Sequence, residues 1–393
     1  MKEVRLGDIC NIKSSKRIYQ SEYTDKGVPF YRGKEISELC RGENPKVELH
    51  ISRDRYNELE SKFGSPKKGD LLITSVGTIG NTWISDGREF YYKDGNITQI
   101  VDNDRINTKY FSYLFKSDIL KRQYMKGSTG TAQVALTIEK LNNLVIPIGD
   151  LEIQQKIVNV LDKAQSLIDK RKDQIEALDE LVKSRFIEIF GDPVLNPKGW
   201  EKGQIADIII KTQYGTSNKA DEQSGKFKIL RMNNITYHGK WDFSSMKYID
   251  LDEKEQKKYL VYKGEVLFNR TNSKELVGKT AVYKEDEPMA YAGYLVKAIP
   301  NERATGEFIA AYMNTKYVKS KLFNMAKNIV GMANINAEEF KKIDVYIPPI
   351  KLQNEYINFV NQVDKLKFEM EKSLKELEDN FNSLMQRAFK GEV

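Results

Sequence analysis

Two stretches of this 393-residue chain repeat apolar side chains at alternating intervals of four and three positions. The first runs through Ile157, Leu161, Ala164, Ile168, Arg171, Ile175, Leu178 and Val182. The second runs through Tyr356, Val360, Val363, Lys367, Met370, Leu374, Leu377, Phe381, Leu384 and Ala388. A mean step of about 3.5 residues keeps one helix face turned toward a partner, which is the seam of a coiled coil. Both runs sustain the period for at least four heptads, longer than an isolated surface helix needs. Pro147 and Gly149 precede the first run, Asp150 stands at an N-cap position, and Gly191, Pro193 and Pro197 follow it. Pro348 and Pro349 precede the second. Arg171 and Lys367 interrupt the seams. A polar seam residue either fixes register or carries its charge outward along an aliphatic stem, and the second reading is adopted here.

Between these helices the apolar runs are short. Asp70–Thr74, Ile97–Val101, Glu265–Asn269 and Tyr294–Ile299 are strand-length and bounded by Gly, Asn or Asp, whereas Tyr110–Lys116 and Glu307–Asn314 read as short helices with aromatic faces. The pattern also occurs twice. Leu6-Gly7-Asp8-Ile9 matches Ile205-Ala206-Asp207-Ile208, and Gln154-Gln155-Lys156 matches Gln353-Asn354-Glu355, both at an offset of 199. Lys68-Gly69-Asp70-Leu71 matches Lys263-Gly264-Glu265-Val266, and Val145-Ile146-Pro147 matches Tyr346-Ile347-Pro348. The chain is therefore a tandem duplication, each copy an α+β domain followed by a long helix. Both helices touch the second domain, one by its end and the other by its start, so if they pair they pair antiparallel. At ~1.5 Å per residue they form a rod of ~50–60 Å, and the sequence predicts two similar heads held apart by it.

Composition narrows the class. The chain is 40% hydrophobic and 30% charged, with no apolar stretch long enough to cross a bilayer and no signal-peptide core at its start. Cys10 and Cys40 cannot make a disulfide framework or a metal site, so a cytoplasmic protein is expected, with no membrane association. Residues 151–192 hold 9 acidic and 7 basic side chains, and 351–393 hold 8 and 7. With the helices at −3, the overall +7 leaves +10 on the remaining regions, as suits a polyanionic partner. No catalytic constellation is visible. His50 and His238 lie in no metal-ligand spacing, and Gly278-Lys279-Thr280 lacks the first glycine of a phosphate loop, Ser273 standing in its place. The chain lacks an Asn/Asp-Pro-Pro-aromatic quartet, which argues against amino-methyl transfer by it alone.

Candidate chemistry gathers in loops of the two heads. In the first these are Arg32 and Lys34, then Ser75, Thr78 and Asn81, then Ser128, Thr129, Thr131 and Gln133. In the second they are Tyr214, Thr216 and Ser217, then Arg231, Asn233 and Asn234, then Arg270, Thr271, Asn272, Ser273 and Lys274, with Lys279 and Asn334. Arg, Lys, Asn and Gln read base edges, while Ser, Thr and backbone N–H groups serve phosphates. Most of these residues are equally at home closing turns. Arg270 stands out because it follows a strand among Asn269, Asn272 and Lys274.

In this order, doubled at a fixed offset, the motifs resemble the DNA-specificity subunit of type I restriction-modification systems. Gly69-Asp70-Leu71-Leu72-Ile73-Thr74-Ser75 with Gly77-Thr78-Ile79-Gly80 carries the resemblance, as does Gly264-Glu265-Val266-Leu267-Phe268-Asn269-Arg270 with Gly278-Lys279. So do Gln213-Tyr214-Gly215-Thr216-Ser217, Ile146-Pro147 through Gln154-Gln155, and Ile347-Pro348 through Gln353. The resemblance implies an α+β fold of two pseudo-repeated target-recognition domains, residues 1–149 and 193–348, joined by long helices at 150–192 and 349–393 that form an antiparallel coiled coil. It implies that each domain reads half of a bipartite, asymmetric double-stranded DNA target, with the helices setting the unread spacer. Two methyltransferase subunits using S-adenosylmethionine are the implied partners, with restriction subunits that use ATP and Mg; this chain itself binds no cofactor or metal and is no enzyme. Ser75 stands where the second copy has Arg270, so base readers do not transfer symmetrically. The alternatives are a non-catalytic coiled-coil scaffold without DNA contact, and an enzyme with an unrecognised site.

Overall fold

The computed structural model describes residues 1–125, 135–329 and 332–392. The chain forms two compact units, Met1–Lys172 with Lys372–Val393, and Asp173–Glu371. The long helices span Leu151–Phe190 and Ile350–Lys390, so each unit contains half of each helix. This division differs from the four segments expected from sequence because the helix faces belong to the cores of the bodies they adjoin.

In the first unit a four-stranded antiparallel sheet orders Ile12–Lys13, Ile97–Ile100, Leu71–Thr74 and Thr82–Ile84. In the second unit Ile209–Tyr214, Leu295–Pro300, Val266–Asn269 and Thr280–Val282 repeat that order. The central strands read as continuous apolar runs because both faces are covered. Leu71 and Ile73 enter the core shared with the helices, while Leu72 packs into a separate cluster with Tyr31, Ile36 and Tyr92. Val266 and Phe268, opposed by Leu267, do the same in the second unit. Beside each sheet, a strand pairs parallel with a short partner, Phe30 opposite Tyr91 in one unit and Leu230 opposite Tyr291 in the other. Each unit also closes an antiparallel ribbon before its helix. Lys2 faces Ile148 and Glu201 faces Ile347, an offset of 199 on both strands.

The sequence-predicted seam positions are all buried or half-buried. In the first unit Ile157, Val158 and Leu161 join Met385, Ala388 and Phe389 in the body's core, and the Phe389 ring meets Tyr110 edge-on at 5.2 Å. In the second unit Phe186 and Phe190 meet Tyr356 at 5.6 and 5.5 Å, and Arg185 lies 5.5 Å over Phe359. Asp179 bonds Lys367 at 2.7 Å. Residue numbers on one helix fall as those on the other rise, so the pairing is antiparallel.

Lys367 departs from expectation. Its side chain is only 14% exposed and does not carry its charge to solvent. Asp179 accepts from Lys367 and, at 2.5 Å, from Lys240 of the adjoining body. Burial alone would raise the Asp179 carboxyl, but these two ammonium donors outweigh it and hold it below the usual 3.8. Burial, reinforced by Lys367, pushes the Lys240 ammonium down. Burial opposes the charge on Lys367 as well, yet the bond to Asp179 leaves that ammonium raised. One carboxylate thus accepts a bond from each of two cations at the seam, leaving one positive charge in excess, and fixes register there.

A buried glutamine anchors each helix start. Gln154 Oε1 accepts from Asn107 N at 2.7 Å, and its Nε2 donates to the carbonyls of Gly149 and Arg105 at 3.0 and 3.3 Å. Gln353 repeats this, accepting from Thr305 N at 2.8 Å and donating to Pro348 and Arg303 at 2.8 and 2.9 Å. A primary amide suits the position because it donates and accepts at once, and both side chains are fully buried. Asp150 caps the first helix through Ile153 N at 2.8 Å.

Gln154→Ala is expected to destabilise the first unit by about 2–3 kcal/mol, since it strands buried main-chain groups; a urea transition shifted by less than a quarter of that would reject the clamp. Asp179→Ala should cost about 1–2 kcal/mol by leaving Lys240 and Lys367 facing each other, whereas Lys367→Met should be near neutral. Because the Asp179 carboxyl is depressed, the triad's contribution stands above its ordinary 3.8 and fades as pH falls through the lowered value. Denaturation midpoints of the two variants across acid pH would show it, and equal losses would contradict the triad.

Candidate nucleic-acid interface

The first unit carries two open clefts that meet at Asn96. One, of about 480 Å³, is lined by Arg32, Lys34, Ser37, Arg41 and Thr78. Strand Val28–Tyr31 delivers Arg32 to the start of helix Gly33–Cys40, whose third residue, Glu35, is fully buried. Arg32 N donates to Glu35 Oε2 at 2.8 Å, closing the N-terminus of the helix. The Arg32 Nη2 donates to Glu35 Oε1 at 2.8 Å and to Glu48 Oε2 at 2.9 Å, while Lys34 Nζ reaches Glu48 Oε1 at 2.8 Å. Lys34 first, then Arg32, pull the Glu48 carboxyl down to about 2. The two cations expected to meet DNA are therefore already paired.

Across this cleft the turn after strand Leu71–Thr74 presents an exposed Thr78, with Gly77 and Gly80 at φ +80° and +91° where a side chain would strain the backbone. Ser37 Oγ lies 3.2 Å from Thr78 Oγ1 and accepts from Asn81 Nδ2 at 2.9 Å. Ser75 is different. It is buried, its hydroxyl 2.7 Å from that of Thr98, so it packs the sheet and reads no base. Ser128, Thr129, Thr131 and Gln133 lie outside the described residues.

The second cleft, of about 680 Å³, is lined by Arg17, Tyr19, Gln20, Tyr23 and Lys93. Sequence reasoning missed this face. Its signal was Arg17 with Tyr19 and Gln20 in a polar stretch, basic and aromatic residues interleaved, and Tyr19 is 63% exposed. Arg17 Nε bonds Asp94 at 3.1 Å, leaving most of the guanidinium in solvent.

In the second unit Arg231 occupies the place of Arg32, and Asn234 that of Glu35, both at an offset of 199. Arg231 N donates to Asn234 Oδ1 at 2.9 Å, and Arg231 Nη2 to the Ser245 carbonyl at 2.9 Å, with no carboxylate partner among the described residues. Asn234 is buried, and its Nδ2 donates to the carbonyls of Asp242 and Ser245 at 2.8 and 3.0 Å. It ties a loop together and is not a base reader, whereas its neighbour Asn233 is exposed. Lys279 is likewise corrected. It is buried with Nζ 2.6 Å from the Met232 carbonyl, and burial lowers its pKa, so it does not reach phosphate. Thr216 is buried within its turn, beside an exposed Ser217. Gly215 is required there, since a Cβ would lie 2.3 Å from the Ala292 carbonyl oxygen.

Arg270 is positioned from two sides. Its guanidinium lies 4.9 Å over the Tyr214 ring, and Nη2 donates to Asn334 Oδ1 at 3.3 Å. Asn334 is fixed in turn by Nδ2 donating to Thr271 Oγ1 at 2.7 Å, and Tyr214 OH accepts from Ala337 N at 3.0 Å. Thr271 is thus a support, while Asn272 accepts from Ser273 N at 2.9 Å and Lys274 stacks 4.5 Å over Phe323. A planar cation held between a ring and an amide can present its remaining donors in one plane, the geometry that bidentate guanine recognition needs.

Among the described residues no group of three His, Cys, Asp or Glu side chains could hold a metal ion, and no helix is long and apolar enough to cross a membrane. Cys10 is a buried thiol pushed up to about 11, and it is inert as a nucleophile.

The family model described as the type I restriction modification DNA specificity domain matches residues 1–178 and 197–379. A putative type I restriction enzyme specificity subunit of Haemophilus influenzae is 33% identical over 198 residues, 50% of this chain and 48% of that protein. The EcoKI specificity subunit of Escherichia coli is 23% identical over 304 residues, 72% of this chain and 65% of its own length. The chain thus spans about half to two thirds of these two relatives. A solved chain from work on complex assembly and conformational transition of the type I R-M system shares the fold at a TM-score of 0.63, with 16% identity and 100% and 98% coverage. The type I S subunit of M. genitalium aligns at 0.50, with 15% identity over 99% and 96% of the two chains. With nearly its whole length matched in two copies, the chain belongs to the type I restriction-modification DNA specificity domain family.

Proposed function

We propose that this chain is the sequence-reading subunit of a type I restriction-modification complex and is not itself a catalyst. Each unit reads one half of a bipartite DNA target, and methyltransferase subunits, two of them, act on what is read using S-adenosylmethionine. Restriction subunits using ATP and Mg complete the assembly. The observation that carries this reading is the duplication itself: two bodies built on the same four-strand order and the same closing ribbon, each with an arginine at the same strand end and each with different strands and loops around it. Matching architecture with unmatched loops suits two half-sites of different sequence. The relatives named as specificity subunits, and the neighbour described in terms of complex assembly, support the partners. The positive balance of the bodies supports the polyanion.

Three outcomes test the reading. Methylome sequencing of cells expressing the complex should give one asymmetric bipartite motif, and duplex binding should weaken steeply with salt. Arg270→Ala should cost about 1–3 kcal/mol and relax one position in a single half-site, while an unaltered motif would remove Arg270 from readout. Deleting one heptad from each long helix should change the number of unread base pairs and leave both half-sites as they were. Changed half-sites with the old spacing would contradict that role for the helices.

A further inference from the structure

Two cations of the first unit converge on one carboxylate that is easily removed. Lys34 Nζ and Arg32 Nη2 take separate oxygens of Glu48, at 2.8 and 2.9 Å, the way two donors bridge the free oxygens of a phosphodiester. Glu48 lies on a segment, 43–49, with neither helix nor strand, and its side chain is half exposed. Arg32 keeps a second, buried carboxylate, Glu35, so it stays in place when Glu48 leaves. Surface ion pairs of this kind contribute little, and replacing one anion by another preserves both hydrogen bonds. Glu38 also lines the cleft, and Glu43 is occupied by Arg41 at 2.7 Å. Among the described residues the side chain of the equivalent Arg231 bonds the Ser245 carbonyl and hydroxyl and no carboxylate, so this arrangement is not repeated there.

We propose that Glu48 holds the place of a DNA backbone phosphate, which displaces it to bind Arg32 and Lys34 when the first unit engages its half-site. The site rests on the DNA-reading function proposed above. Displacing the carboxylate costs its two ion pairs, so Glu48 lowers affinity for every duplex that brings a phosphate to that point.

The full chain with its methyltransferase partners is titrated, across a series of salt concentrations, with a duplex carrying its methylated motif and with a scrambled duplex. Glu48→Gln is expected to bind both duplexes roughly two- to fivefold more tightly, with a salt slope steeper by up to about 0.9. Lys34→Ala should weaken binding, flatten the slope by a similar amount and remove most of the Glu48→Gln gain in the double variant. If wild type binds with a steep slope and Glu48→Gln matches it in affinity and slope, the phosphate site is overturned while the reading function stands. If wild type shows no salt-dependent duplex binding, the reading function itself fails and the site with it.

Discussion

Neither α+β body closes its own core. In the first unit the floor is laid by Leu161 of one long helix and by Met385, Ala388 and Phe389 of the other, beneath Leu71 and Ile73 of the sheet. In the second unit Phe186, Phe190 and Tyr356 fill the same role under Val266 and Phe268. Removing either helix would expose those apolar faces to water, so the helices are structural members of both units as well as partners of each other. That shared burial explains why the chain divides across its helices and not at their ends.

The polar contacts on this frame show where duplication is kept and where it is given up. Gln154 and Gln353 make the same three bonds, because a buried amide with one missing partner would cost more than it could return. One residue pair is varied instead. Asp70 accepts from Gln99 at 2.6 Å, and at the equivalent place Glu265 bonds Lys297 at 3.2 Å. Both pairs are satisfied, one through an amide and one through an ammonium. Near the candidate interface the copies part company. Arg32 is paired with Glu35 and Glu48, Arg231 with no carboxylate among the described residues, and Ser75 lies buried where Arg270 stands between Tyr214 and Asn334.

The contrast separates the parts of the duplicated chain that hold shape from those that face solvent. The parts that hold shape are bound by core packing and repeat closely. The parts that touch solvent are free of that constraint and have diverged in charge as well as in side chain. The first unit offers cations already paired and two clefts meeting at Asn96, and the second offers Arg270 stacked on Tyr214 and bonded to Asn334.

The sequence by itself determined the two helical seams, the tandem repeat and the main strands, because each is a local periodicity or a fixed spacing that packing then obeys. Leu71–Thr74 and Val266–Asn269 lie where apolar runs placed them, and Gln154 and Gln353 mark the repeat that they also anchor. Tertiary structure alone decided which loop residues face solvent. Asn233 and Asn234 are neighbours of one type, yet the second is turned inward by the carbonyls of Asp242 and Ser245. Lys279 is taken by the Met232 carbonyl, Lys367 by Asp179, and Lys34 by Glu48. A polar side chain's fate in a loop depends on partners between 8 and 188 residues away, and no local pattern encodes that distance.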